Sequence, residues 1–146
     1  FEQAPVIGLS ETSSANDYVT DSSAAGTAIA SGEKANNYTL GVDPEGQPVK
    51  SMAYDLQEDG YNIGIVTTVP VNHATPGAFY ASSSSREDYY DISKQILKSE
   101  FEFFAGSGFL DFKGNTLDGM DGTVIDMNII DFQHGVSPPS GLSMLR

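Results

Sequence analysis

The sequence predicts an α/β fold in which helices flank part of a mostly parallel sheet. An apolar pattern of helical period runs from Val49 to Leu56, and the turn Asp59-Gly60 closes it. A run rich in β-branched residues, 62–68, follows directly and is typical of a buried parallel strand. Because parallel strands need a helical crossover, this order of helix, turn and strand indicates half of a βαβ unit.

The first predicted helix lies in a block of small residues that ends before Gly32. Asp21 or Ser22 is its expected N-cap, and Gly32 is its expected C-terminal stop. Upstream, residues 1–17 are predicted to be loop, with a short strand at 4–9. The small side chains of the helix allow another backbone or a ligand to approach closely.

The second predicted helix begins at Pro48, because proline is favoured at the first helical position. The strand at 62–68 leads into a polar loop at residues 70–76. Ligands gather at the carboxyl ends of strands in open α/β sheets, so this loop is a candidate site. A short helix at 77–84 is a further candidate.

An amphipathic helix is predicted from Asp88 to Lys98, followed by a short strand at 101–104. Its expected apolar face comprises four residues: Tyr89, Ile92, Ile96 and Leu97. Residues 1–113 are predicted to form a partial α/β domain, and residues 114–146 an unassigned, poorly patterned tail. Within that tail, residues 124–130 are a candidate strand.

Composition excludes several classes of protein. The chain has 146 residues, 20 Asp+Glu, 7 Lys+Arg and a net charge of -13, which disfavours nucleic acid and anionic membranes as partners. A solvated acidic surface is the simplest explanation of the charge, although carboxylates also suit metal ions. The absence of cysteine excludes disulfides, thiolate zinc sites and cysteine nucleophiles.

No targeting or membrane segment is expected in the sequence. No apolar run approaches the ~20 residues that span a bilayer, and no basic segment followed by an apolar one opens the chain. The first residue is Phe1 rather than Met, so we expect the chain to be a piece of a longer protein.

Asp21 and Ser22 are the first candidates for chemistry. A serine needs a base, a helix dipole or a metal before it is a good nucleophile. The N-terminus of a helix offers free N–H groups and partial positive charge to a phosphoryl oxygen. Taken alone, however, the pair is more simply explained as a helix cap.

The segment from Val19 to Ala28, continued by residues 31–34, resembles the nucleophile segment of alkaline phosphatases. The likeness continues collinearly through Asn36-Asn37 and residues 40–43, and along the predicted helix and strand to Thr68. In that family the serine after the Asp forms a phosphoserine intermediate. The resemblance therefore implies that Ser22 is a zinc-activated nucleophile.

Residues 71–76 form a second match to the family. The resemblance implies that the Thr75 hydroxyl is a magnesium ligand and that His73 contacts the water shell of the magnesium ion. As an isolated feature, His73 would more often be an ordinary loop histidine.

Arg86, eleven residues after Thr75, is the third match. The resemblance implies that it clamps the substrate phosphate and that Asp21 holds it in place. A guanidinium suits this role because it offers two parallel donors and stays charged at alkaline pH. The bland alternative is a surface arginine near the start of a helix.

The resemblance implies a phosphomonoesterase that uses Zn²⁺ and Mg²⁺ on small phosphate monoesters. It also implies a periplasmic or extracellular location and a homodimer. Two zinc ions need about six side-chain ligands, including several histidines, whereas this sequence has only His73 and His134. We therefore expect an incomplete piece of the enzyme that is a poor catalyst alone.

Three other functions compete with this hypothesis. A sulfatase would carry Pro and then Arg after its nucleophile, whereas Ser23 and two alanines follow Ser22. A serine acyl hydrolase could combine Ser22 with His73, but no Gly-x-Ser-x-Gly elbow is present. A non-catalytic remnant that binds phosphate or a partner protein stays open, and it would purify without zinc.

Overall fold

The computed structural model describes residue 6 and residues 8–111. Within these residues the elements are α1 Ser22–Ser31, α2 Met52–Glu58, β1 Gly64–Val66, α3 Ala74–Gly77, α4 Tyr89–Ser99 and β2 Phe103–Ala105. The two strands pair in parallel, with Gly64 opposite Phe103 and Val66 opposite Ala105. Since α4 lies between them in the chain, it belongs to the crossover, and the predicted α/β class is confirmed.

Helix α1 has the predicted bounds and caps. Asp21 is extended, and its side chain accepts a hydrogen bond from the Ala24 N–H. Gly32 adopts a φ of 79°, and its N–H bonds to Ala28 O. This left-handed cap is easily reached by glycine, which explains why the helix ends there.

The predicted start of α2 at Pro48 is wrong. The helix begins at Met52, after Ser51, because the preceding residues pair with another segment. Pro48 forms an isolated antiparallel bridge with Val42, and the Val49 N–H bonds to Gly41 O. The predicted end at the Asp59-Gly60 turn is confirmed.

The predicted apolar face of α4 is partly wrong. Leu97 is 55% exposed, and Tyr89 is only partly buried. The buried positions are Tyr90, Ile92, Ser93, Ile96 and Ser99. The buried face of α4 includes the two serines. Their hydroxyls donate to carbonyls one helical turn back, so burial leaves neither hydroxyl without a partner.

Three smaller predictions also change. The short helix expected at 77–84 lies earlier, as α3, and the strand expected at 101–104 lies one to two residues later, as β2. Residues 6, 8 and 9 are not in a strand, and the rest of the strand predicted at 4–9 lies outside the described residues. The candidate strand at 124–130 and the boundary after residue 113 also lie outside them.

The main core lies between α4, the β1–β2 sheet and the segment around α3. Its buried members are Leu40, Ala53, Ile65, Val71, Ala74, Ala78, Tyr80, Ala81, Ile92, Ile96 and Phe101. The ring of Tyr54 packs on that of Phe101 with centroids 4.9 Å apart. No helix of the described residues has the length and apolarity that crossing a membrane requires.

One side of β1 is left open by the described residues. A groove of about 470 Å³ runs between β1, α2 and α3. Met52, Leu56 and Val66, which line it, are all exposed, with Val66 at 74%. Apolar side chains therefore face solvent beside a sheet of two strands.

Candidate active site

Helices α1 and α3 pack closely enough to bring two candidate residues to one surface. A Cβ placed on Gly26 would lie 3.2 Å from Ala78 Cβ and 3.6 Å from Thr75 Cα. Ser22 is one turn before Gly26 on the same face of α1, so it points towards the α3 side. Gly26 thus permits the approach of the helix that carries Thr75.

Ser22 is partly exposed at the first position of α1. Its hydroxyl makes no hydrogen bond to any described residue, so it is not paired with His73 as a serine acyl hydrolase would require. The first N–H groups of a helix have no intrahelical partner, and Ser22 lies among them. The hydroxyl is therefore available to an anionic substrate.

The Asp21 carboxylate is the most heavily bonded group of the site. Its partners are the Ala24 N–H at 2.9 Å, the Ser23 hydroxyl at 2.8 Å, the Tyr38 N–H at 3.0 Å and Arg86 Nη1 at 3.0 Å. Partial burial alone would raise the pKa of Asp21, but these hydrogen bonds outweigh it and hold the pKa below its ordinary value.

Arg86 is held at both its main chain and its side chain. Its N–H donates to Tyr38 O at 2.7 Å, and Nη1 pairs with Asp21. The side chains of Arg86 and Asp21 are 17% and 18% exposed, so the pair lies largely out of solvent. The contact between Asp21 and Arg86 that the resemblance implies is present, and one guanidinium edge is committed to it.

His73 lies at the N-cap of α3, next to this pair. Burial and the positive charge of Arg86 both lower the pKa of His73, which favours its neutral form. Its Nδ1 atom is buried and has no partner among the described residues. A neutral imidazole nitrogen in this state can accept a hydrogen bond or bind a metal.

The described residues do not form a complete metal centre. Across residues 8–111 no group of three or more His, Asp or Glu side chains is placed to hold an ion. The exposed Thr75 side chain offers the kind of oxygen that Mg²⁺ prefers, and the unpaired His73 Nδ1 can accept a hydrogen bond from a water molecule of that ion. These two residues are fewer than the about four ligands of a zinc site, and His134 lies outside the described residues.

Sequence reasoning missed two asparagines that position the site. Asn72 is fully buried, and its Nδ2 bonds to Tyr89 O, Ser93 Oγ and Leu110 O, while its Oδ1 accepts from the Leu110 N–H. These bonds fix the loop that presents His73. Asn37 accepts from the Asp21 N–H. Both lie within the segments that resemble the family, and that likeness was the signal that could have pointed to them.

The chain is similar to known proteins over most of its described residues. The protein family described as "Alkaline phosphatase" matches residues 1–105 of the chain. Alkaline phosphatase 4 of Bacillus subtilis (strain 168) is 40% identical over 87 residues, which are 59% of this chain and 19% of that protein. The tissue-nonspecific isozyme of Homo sapiens is 39% identical over 101 residues, 62% of this chain and 19% of that protein.

A solved structure agrees with these matches. A mutant alkaline phosphatase from the Antarctic bacterium TAB5, with Mg bound, superposes with a TM-score of 0.73 at 32% identity. The superposition covers 81% of this chain and 33% of that one. The chain thus spans about a fifth of the length of the curated relatives, at 19% of each.

Proposed function

We propose that this chain, which belongs to the alkaline phosphatase family, carries the nucleophile and the phosphate clamp of a phosphomonoesterase. The observation that carries the proposal is the largely buried Asp21–Arg86 pair beside the partly exposed Ser22 hydroxyl. The chain covers 19% of its curated relatives, so the full catalytic cycle is proposed for the whole enzyme.

Ser22 is the proposed nucleophile. In the first step its Oγ forms a bond to phosphorus while the bond from phosphorus to the leaving oxygen breaks and that oxygen takes up a proton. In the second step water attacks phosphorus and the bond to Ser22 Oγ breaks, which releases inorganic phosphate. The N-terminal N–H groups of α1 favour the negative charge that gathers on the phosphoryl oxygens.

Arg86 is proposed to bind those oxygens with the guanidinium N–H groups that Asp21 does not use. Asp21 supports this in two ways, since it orients the guanidinium and caps the helix that carries Ser22. The same carboxylate thereby fixes the distance between the nucleophile and the clamp. Preorganised donors of this kind need no rearrangement as the transition state forms.

His73 and Thr75 are proposed to contribute to a magnesium site, and Ser22 to a zinc site. When bound, these ions would supply positive charge that activates the serine and offsets phosphoryl charge. The magnesium proposal is supported by the unpaired Nδ1 of His73 and by the Mg bound in the mutant TAB5 alkaline phosphatase. The remaining ligands are proposed to come from other parts of the enzyme.

The proposed substrates are small phosphate monoesters, in keeping with the family. A periplasmic or extracellular location and a homodimer are proposed for the same reason. The net charge of -13 argues against nucleic acid as a structural partner.

A non-catalytic remnant that binds phosphate or a partner is the second candidate. It is favoured by the lack of a metal-binding cluster within the described part of the chain. In that case the chain would bind inorganic phosphate through Arg86 without turning over a substrate.

Hydrolysis of p-nitrophenyl phosphate by the whole enzyme that contains this segment, at alkaline pH with zinc and magnesium, tests the proposal. We expect Ser22→Ala to lose at least about a hundredfold in kcat/KM, as removal of a nucleophile does. Ser31→Ala is the matched control, because Ser31 lies at the far end of the same helix and bonds to Thr27 O. Activity that survives in Ser22→Ala would refute Ser22 as the nucleophile. Inactivity of the unmodified whole enzyme would favour the second candidate.

A further inference from the structure

We infer that the corner formed by Asn37 and Tyr38 is a positioning element for the phosphate clamp, a role that rests on the proposed function. Within the described residues, no hydrogen bond joins this corner to Ser22, His73 or Thr75. The corner acts on both members of the Asp21–Arg86 pair, through the side-chain amide of Asn37 and the main chain of Tyr38.

The main chain of Tyr38 joins the two halves of the pair. Its N–H donates to Asp21 Oδ2 at 3.0 Å, and its carbonyl accepts from the Arg86 N–H at 2.7 Å. Arg86 Nη1 bonds to the same Asp21 oxygen at 3.0 Å. The three contacts close a ring, so neither Asp21 nor Arg86 can move without displacing Tyr38.

The side chain of Asn37 holds the segment that enters α1. Its Oδ1 accepts from the Asp21 N–H at 3.0 Å, and its Nδ2 donates to Val19 O at 2.9 Å. The Asn37 N–H in turn donates to Asn16 Oδ1 at 2.9 Å. One amide therefore pins the backbone on both sides of Thr20, directly before the proposed nucleophile.

The backbone of Tyr38 adopts a conformation that is unfavourable for a residue with a side chain. Its φ is 69°, in the left-handed region that residues with a side chain rarely adopt. The ring is 64% exposed, so burial of the side chain does not stabilise this conformation. The hydrogen bonds to Asp21 and Arg86 are what hold it, and strained residues of this kind cluster at functional sites.

The matched pair Asn37→Ala and Asn36→Ala tests the inference. Asn36 is the neighbouring asparagine, and its Nδ2 bonds to Pro44 O, away from the pair. The first readout is hydrogen exchange at the Arg86 guanidinium by nitrogen-15 NMR, which needs no ligand. The second is the dissociation constant of inorganic phosphate.

We expect Asn37→Ala to speed Arg86 side-chain exchange and to weaken phosphate binding, each by roughly three- to tenfold, as the loss of one hydrogen bond does. Asn36→Ala should leave both within about twofold of the unmodified chain. Equal behaviour of the two variants would overturn the inference. Failure of the unmodified chain to bind phosphate would refute the proposed function instead, while the exchange measurement would still decide the role of Asn37.

Tyr38→Gly provides a second variant that should fold more readily. Glycine adopts a positive φ without strain and retains both backbone hydrogen bonds. We expect unchanged phosphate affinity and unchanged Arg86 exchange. A tenfold loss in either would show that the tyrosine ring, and not the backbone corner, positions the clamp, and would contradict the inference.

Discussion

The Asp21–Arg86 pair is held by hydrogen bonds, whereas the apolar side chains on the open side of β1 are exposed to solvent. The Asp21 carboxylate accepts hydrogen bonds from four different residues, and the side chain of Arg86 is 17% exposed. At the groove beside β1, Val66 is 74% exposed and Leu56 and Met52 are also in contact with solvent. The Asp21–Arg86 pair is well supplied with contacts within the described residues, whereas the apolar side chains beside β1 are not.

This difference indicates where the order of the site comes from. Hydrogen bonds between residues close to the corner suffice to orient Arg86, even though the sheet has two strands within the described part of the chain. Burial of apolar surface, in contrast, requires material on both faces of a sheet. Substitutions in the two regions should therefore have very different effects.

The largest contrast is expected within β1 itself. Ile65 is buried in the core, and Val66 faces the groove. Ile65→Ala should lower the free energy of unfolding by about 2–4 kcal/mol. Val66→Ala should lower it by less than about 0.5 kcal/mol. Urea unfolding followed by circular dichroism measures both, and equal losses would show that the groove is covered in solution.

Removal of the Asp21 carboxylate should have the next largest effect. Asp21→Ala removes a helix cap and leaves Arg86 without its partner, at a cost of about 2 kcal/mol. Asp21→Asn retains an acceptor for the Ala24 N–H and should cost about half as much. Equal free energies of unfolding in urea for the unmodified chain and both variants would show that the Asp21 carboxylate does not stabilise this region.

A substitution where α1 packs on α3 should change stability by less, and whether it stabilises or destabilises is informative. Alanine normally stabilises a helix relative to glycine by about 0.5–1 kcal/mol. At Gly26 the new Cβ would lie 3.2 Å from Ala78 Cβ, so we expect Gly26→Ala to destabilise by about 1 kcal/mol instead. A rise in melting temperature would mean that the two helices are not in close contact.

The mildest effect concerns pH. The hydrogen bonds of Asp21 hold its pKa below the ordinary value in the folded chain, so its ionised form contributes stability at pH values above the ordinary pKa. The contribution is lost as the pH falls through the folded pKa. The gap in unfolding free energy between the unmodified chain and Asp21→Asn should therefore begin to narrow below about pH 4. A gap that stays unchanged at pH 3 would contradict this contribution of the ionised Asp21.

Sequence reasoning predicted those features that rest on local signals. Asp21 and Gly32 bound α1 because a carboxylate cap and a left-handed glycine are short-range devices. The start of α2 could not be predicted in this way, since Pro48 is drawn into a bridge with Val42. The burial of Ser93 and Ser99 in α4 was not predicted either, because the hydrogen bonds from their hydroxyls to carbonyls are visible only in the structure.

The candidate site also contains residues that the sequence predicted and residues whose role only the structure shows. Ser22 and Arg86 were found through their likeness to a family, and their proximity to Asp21 and His73 followed from the fold. Asn37 and Asn72 lie within the segments that resemble the family, but their residue type does not show what their amides bind, and Tyr38 acts through backbone atoms. Their roles depend on distances between segments that are far apart in sequence.

The most direct test of the central claim is the fate of the phosphoryl group. The whole enzyme that contains this segment is incubated with zinc, magnesium and a phosphate monoester, the mixture is quenched in acid, and the phosphorylated residue is located by mass spectrometry. We predict a phosphate on Ser22, none on the neighbouring Ser23 that bonds to Asp21, and loss of the label in Arg86→Ala. A phosphate on Ser23 or on another residue, with Ser22 unmodified, would contradict the account.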